Sequence, residues 1–194
     1  MKKDIILSGV GGQGILSIAA VIGETALQQG LYMKQSEVHG MSQRGGDVQS
    51  NLRISDSPIA SDLIPKGNAD LILSMEPMEA LRYLPYMNEN GWIVSSSTCF
   101  KNIPDYPADE QIIDEIKKCP NHVLVDAEEI AKQCGNTRGA NIVLVGAALP
   151  FLDMPVETVE NAIRYIFSRK GEQVVEANLA AMRAGYDHSM KHKQ

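Results

Sequence analysis

The sequence predicts an α/β fold: three layers, with a mostly parallel, doubly wound sheet covered by helices on both faces. Three observations predict it. The chain opens with a short apolar run, a glycine-rich turn and an amphipathic segment. Short β-branched runs then alternate with segments of helical periodicity. The length of 194 residues and the 44% apolar content suffice for one full core.

Each element follows in order. Asp4 to Val10 is rich in β-branched residues and ends in glycine, which reads as a strand. Residues 14–29 carry apolar side chains at Ile15, Leu16, Ile18, Ala19, Ile22, Ala26 and Leu27, a spacing that covers one helical face, and Gly30 suits a C-cap. Leu31-Tyr32-Met33 begins a second strand, completing a Rossmann-like first βαβ unit. Residues 36–46 are polar and aperiodic, which reads as a loop of roughly a dozen residues. Val48 to Ile54 alternate as a strand with one face in the core, open to an antiparallel pairing. Asp70 to Met75 is a buried strand, and Glu76-Pro77 starts a helix to about Met87. Trp92 to Ser95 and His122 to Val125 are strands, with a short helix from Ala108 to Lys118 between them. Asp126 caps the next helix, with Glu129 three residues on. Asn141 to Leu152 is nearly all apolar and reads as a buried helix. Helices over 156–169 and Glu172–Ala184 follow, the last stopped by Gly185. Residues 1–187 are thus expected to form a single domain, with 188–194 a frayed polar tail.

Bulk properties narrow the function. A net charge of −6 argues against a non-specific nucleic-acid binder. Ile5-Ile6-Leu7 is too short for the core of a signal peptide, and no later run approaches a membrane span; a cytoplasmic protein is expected. Cys99, Cys119 and Cys134 are scattered and form no C-x-x-C pair, so they suit reduced thiols rather than a metal or cluster site.

Two clusters carry chemistry. Gly9, Gly11, Gly12, Gln13 and Gly14 satisfy G-x-G-x-x-G, whose glycines let the backbone approach a ligand at a helix N-terminus rich in free N–H groups. A dinucleotide site also needs an acid after the second strand, for which Glu37 is the nearby candidate. Another anion, a partner contact, or a merely tight turn remain open, and Gln13 would project its amide toward whatever docks there. The second cluster is Ser36, His39, Gly40, Ser42, Gln43, Arg44, Gly45 and Gly46. An Arg before two glycines can present a guanidinium beside exposed N–H groups, or simply be solvated at a bulge or hairpin entry to the strand at 48–54; its polar neighbours, expected at the ligand-binding edge of the sheet, favour the first reading. Glu76 lies at a strand end facing the same crevice, with helix-start chemistry as its other reading. His39 has no partnered nucleophile in the sequence. Asn141 and Asn178 could cap, bridge helices or face a partner.

Together, Gly-x-Gly-Gly-Gln-Gly at 9–14, Ser36-x-x-x-Gly40 with Ser42-Gln43-Arg44-Gly45-Gly46, Met75-Glu76-Pro77, and Glu176-Ala177-Asn178 with Ala181 and Gly185 resemble the gamma-type subunits of 2-oxoacid:ferredoxin oxidoreductases. Within that family the small subunits of the indolepyruvate branch are most similar. The resemblance covers residues 4 to about 187. It implies a subunit that holds no cofactor alone, with thiamine diphosphate, magnesium and iron–sulfur clusters in a large partner subunit. It further implies CoA-dependent oxidative decarboxylation of a 2-oxoacid, with coenzyme A and the 2-oxoacid at a shared site and ferredoxin reached through the partner. By that resemblance the two glycine clusters face the ligand or the partner. A stand-alone NAD(P)- or FAD-type nucleotide-binding protein is the competing reading, and a regulatory module a third.

Overall fold

A computed structural model of the chain describes residues 1–39, with His39 through its backbone, and 45–192. In chain order the elements are β1 (Lys2–Val10), α1 (Ile15–Gln28), β2 (Tyr32–His39), β3 (Asp47–Ser55), β4 (Ala69–Ser74), α2 (Pro77–Arg82), β5 (Met87–Ser96), α3 (Asp109–Lys117), β6 (His122–Val125), α4 (Ala127–Gln133), α5 (Ala140–Ala148), α6 (Val156–Phe167) and α7 (Glu172–His192). The six strands form one mixed sheet in the order β2-β3-β1-β4-β5-β6. Ile5, Leu7, Leu52, Ile54, Leu71 and Leu73 pack beneath α1, α5, α6 and α7. Ile6, Ile72 and Ile93 point the other way, toward Ala80 of α2 and Ile116 of α3. The three layers of the α/β class are therefore present.

The first βαβ unit needs correcting. β2 does not lie beside β1; β3 is inserted between them and runs antiparallel to both. Burial explains the order. Leu52 and Ile54 of β3 are wholly buried and take the interior slot, whereas β2 leaves Tyr32 and Val38 at least half exposed and carries Lys34, as suits an edge strand. Ser36 to His39 continue β2 rather than opening a loop, because an edge strand needs no apolar alternation.

The expected frayed tail is also corrected. Gly185 does not stop α7, which continues to His192. Ser189 is buried and donates to the Ala147 carbonyl at 2.7 Å, and a ring nitrogen of His188 lies 2.9 Å from the Leu124 carbonyl. The last described turns thus dock on α5 and β6; residues 193–194 lie outside the described residues.

A buried ion pair ties down the segment after β3. Asp4 is wholly buried and receives Arg53 Nε at 2.7 Å and Nη2 at 3.0 Å. The third guanidinium nitrogen donates to the Ser61 and Leu63 carbonyls, both at 3.0 Å. One fork-shaped cation therefore satisfies a core carboxylate and two loop carbonyls at once.

Candidate functional site

The C-terminal ends of β1 and β4 and the β2–β3 hairpin meet at one edge of the sheet. β1 runs into the glycine turn, where Gly12 and Gly14 have φ of 105° and 87°. These left-handed angles suit glycine alone. At Gly14 a Cβ would also lie 2.7 Å from Asn141 Nδ2, so that side chain would have to move as well. That amide donates to the Gly14 carbonyl at 3.3 Å, so Asn141 joins α5 to the start of α1. Gly14 caps α1 without a side-chain bond. Among the described residues the N–H groups of Gly12, Gly14, Ile15 and Leu16 have no acceptor. They form a donor surface at the positive end of a 14-residue helix.

The two sequence clusters come together here. Gly11 N–H donates to the Gly46 carbonyl at 2.8 Å, and Gly45 N–H donates to the Gly11 carbonyl at 3.3 Å. Beside them lies a cavity of about 430 Å³, with the glycine turn on one wall and Glu37 and Val48 on the other. Glu37 Oε2 is buried with no hydrogen-bond partner among the described residues. The cavity therefore offers N–H donors at one side and a carboxylate acceptor at the other. It suits a group that both accepts and donates, such as an amide, better than a bare phosphate. Leu16, on the cavity wall, is 61% exposed, so the corner presents an apolar side chain beside its N–H groups.

The remaining predicted residues divide. Gly9 sits inside β1 opposite Val48, where a Cβ would lie 3.0 Å from the Met75 Cβ. Ser36 pairs with Asn51, and His39 ends β2 opposite Val48. Gly40, Ser42, Gln43 and Arg44 lie outside the described residues.

Gln13 and Glu76 require correction. Gln13 does not project outward: its Oε1 accepts from Val10 N–H at 2.7 Å and its Nε2 donates to the Met75 carbonyl at 3.4 Å, so it braces the turn against β4. Glu76 is wholly buried and takes its other reading, helix-start chemistry. It caps α2 by accepting from Glu79 N–H at 2.8 Å, and its other oxygen accepts from the Tyr106 hydroxyl and from Phe100 N–H at 3.3 Å. Burial pushes its carboxyl above the usual range and does the same to the Tyr106 phenol.

Sequence reasoning missed Asn102, whose Nδ2 donates to the Gly45 carbonyl at 2.9 Å across 57 residues of chain. Nothing local marks it. Asn178, left open above, ties α7 to the connection between α4 and α5 by accepting from Asn136 Nδ2 at 3.0 Å. A larger cavity of about 630 Å³ opens at the opposite sheet edge near Lys3, Asp70 and Trp92, away from the glycine turn. Among the described residues no cluster of three or more His, Cys, Asp or Glu could hold a metal ion. No described helix is long and apolar enough to cross a membrane.

Comparison with known proteins gives a consistent picture. The description of the pyruvate ferredoxin/flavodoxin oxidoreductase family matches residues 4–188. Indolepyruvate oxidoreductase subunit IorB of Archaeoglobus fulgidus is 37% identical, with 98% of this chain and 96% of that protein covered. The keto/oxoacid ferredoxin oxidoreductase gamma subunit from Geobacter sulfurreducens superposes with a TM-score of 0.71 at 25% identity, covering 97% and 99% of the two chains. A 2-oxoglutarate:ferredoxin oxidoreductase from Magnetococcus marinus, solved with 2-oxoglutarate, coenzyme A and succinyl-CoA bound, shares the fold. There 98% of this chain matches 31% of the longer one, at a TM-score of 0.77 and 19% identity.

Proposed function

We propose a role from one premise: the chain belongs to the pyruvate ferredoxin/flavodoxin oxidoreductase family, as a small subunit of a 2-oxoacid:ferredoxin oxidoreductase. Its substrate is an aryl 2-oxoacid of the indolepyruvate type, which the name of the 37% identical relative supports. The reaction is CoA-dependent oxidative decarboxylation, releasing carbon dioxide and an acyl-CoA and passing two electrons to ferredoxin. A large partner subunit holds thiamine diphosphate, magnesium and the iron–sulfur clusters, which supply the decarboxylation and the electron transfer. This chain binds and orients. Its glycine turn and the adjoining Gly45–Gly46 segment form one wall of a site completed by the partner. Coenzyme A suits that wall, because the amides of its pantetheine arm carry both the acceptors and the donors the cavity matches.

The observation that carries this reading is the pair of backbone bonds joining Gly11 to Gly45 and Gly46 beside a cavity walled by N–H groups that have no acceptor among the described residues. The stand-alone dinucleotide reading finds no support in the relatives, whose names are those of oxidoreductase subunits. The test is Arg44→Ala in the assembled two-subunit enzyme. Loss of one charge-assisted hydrogen bond is expected to raise KM for coenzyme A or for the 2-oxoacid about tenfold. Unchanged KM for both would overturn the contact.

A further inference from the structure

We infer that Asn102 and Tyr106 form a positioning relay that sets where Gly45 sits and thereby shapes the donor-lined cavity. The inference rests on the reading that this corner is a ligand site, and adds residues outside both glycine clusters. The segment from Ser97 to Ala108 has no helix or strand, and Phe100 and Ile103 on it are about half exposed. Such a stretch would be expected to move freely. Instead it is tied down at specific points. Ser97 N–H donates to the Val125 carbonyl at 2.9 Å, and Phe100 N–H and the Tyr106 hydroxyl converge on one oxygen of buried Glu76. Between these two anchors, Asn102 reaches the Gly45 carbonyl.

Gly45 is therefore gripped from both sides. Its N–H donates to Gly11 and its carbonyl accepts from Asn102, and its φ of 80° is one that glycine, lacking a Cβ, adopts without strain. A peptide held in this way transmits the placement of the Ser97–Ala108 segment to the glycine turn. Asn102 Oδ1 is buried with no partner among the described residues, so the bond to Gly45 is the one the amide makes there.

The test uses the assembled enzyme and three variants. Asn102→Leu keeps the side-chain size and removes the donor; Tyr106→Phe keeps the ring and removes its hydroxyl bond to Glu76; Arg44→Ala reports on the site itself. Asn102→Leu is expected to raise KM for coenzyme A about fivefold with kcat changed less than about twofold, the loss of one neutral hydrogen bond acting on binding rather than turnover. Tyr106→Phe is expected to shift KM in the same direction. The double variant is expected to show no more than the Asn102→Leu effect, since both act along one path. Unchanged KM in both single variants while Arg44→Ala raises it would remove the relay and leave the site standing. Additive effects in the double variant would also refute the relay. If Arg44→Ala leaves both KM values unchanged, the site reading fails and the relay with it.

Discussion

Gly185→Ala is expected to destabilise the chain by about 3 kcal/mol, the upper part of the usual range for overpacking a close contact. At about 2–4 °C per kcal/mol for a domain of this size, the thermal midpoint should fall by about 6–12 °C. A Cβ at Gly185 would lie 1.9 Å from the Val143 carbonyl oxygen and 2.8 Å from its carbon, and one at Gly146 would lie 1.9 Å from the Met182 oxygen. The obstacles are backbone atoms of the facing helix, which no rotamer change can move. α5 and α7 approach through this reciprocal glycine pair, and a methyl group on either side must push the helices apart. The sign makes the test sharp: helix propensity alone would have alanine stabilise a helix interior by about 1 kcal/mol. Thermal unfolding followed by circular dichroism decides it, and an unchanged or raised midpoint would refute the contact.

Arg53→Met is the second large effect. Methionine keeps much of the volume but strands the Asp4 carboxylate, wholly buried, with only the exposed Lys2 ammonium 3.0 Å away. Breaking a buried pair from one side costs about 3–5 kcal/mol, whereas replacing both charges with apolar groups is often close to neutral. Arg53→Met should therefore lose about 3 kcal/mol in urea unfolding at unchanged slope. The Asp4→Leu/Arg53→Met double variant should recover part of that loss. A double variant no more stable than the single one would show that the loop carbonyls of Ser61 and Leu63, rather than the stranded charge, dominate the cost.

These two sites also show what the sequence could and could not convey. The strand, glycine turn and helix over residues 4–29 were legible because their signals are local: apolar β-branched residues, glycines at left-handed angles, and a helical stripe. The meeting of the two glycine clusters was legible too, since both follow from strand ends at one sheet edge. Strand neighbours were not. Alternation in Val48–Ile54 says which face is buried, not which strand lies alongside, so the insertion of β3 stayed hidden. Gly185 read as a helix stop because glycine favours C-caps locally; its reason is a contact with α5, about forty residues earlier. Gln13 and Glu76 were recognised as belonging to the site edge, yet both point inward, toward Met75 and toward Tyr106. A polar side chain's direction depends on the partners the fold brings to it. Asn102 carried no signal at all, because its bond to Gly45 spans 57 residues of chain.

The placement of the glycine corner against a large partner subunit is tested most directly by hydrogen exchange, comparing the chain alone with the assembled complex. The amides of Gly12, Gly14, Ile15 and Leu16 have no acceptor among the described residues and should exchange quickly in the free chain. In the complex they are expected to slow by about tenfold or more, while amides near Trp92 at the opposite sheet edge keep their free-chain rates. Unchanged exchange at residues 12–16, or protection confined to the Trp92 edge, would contradict it.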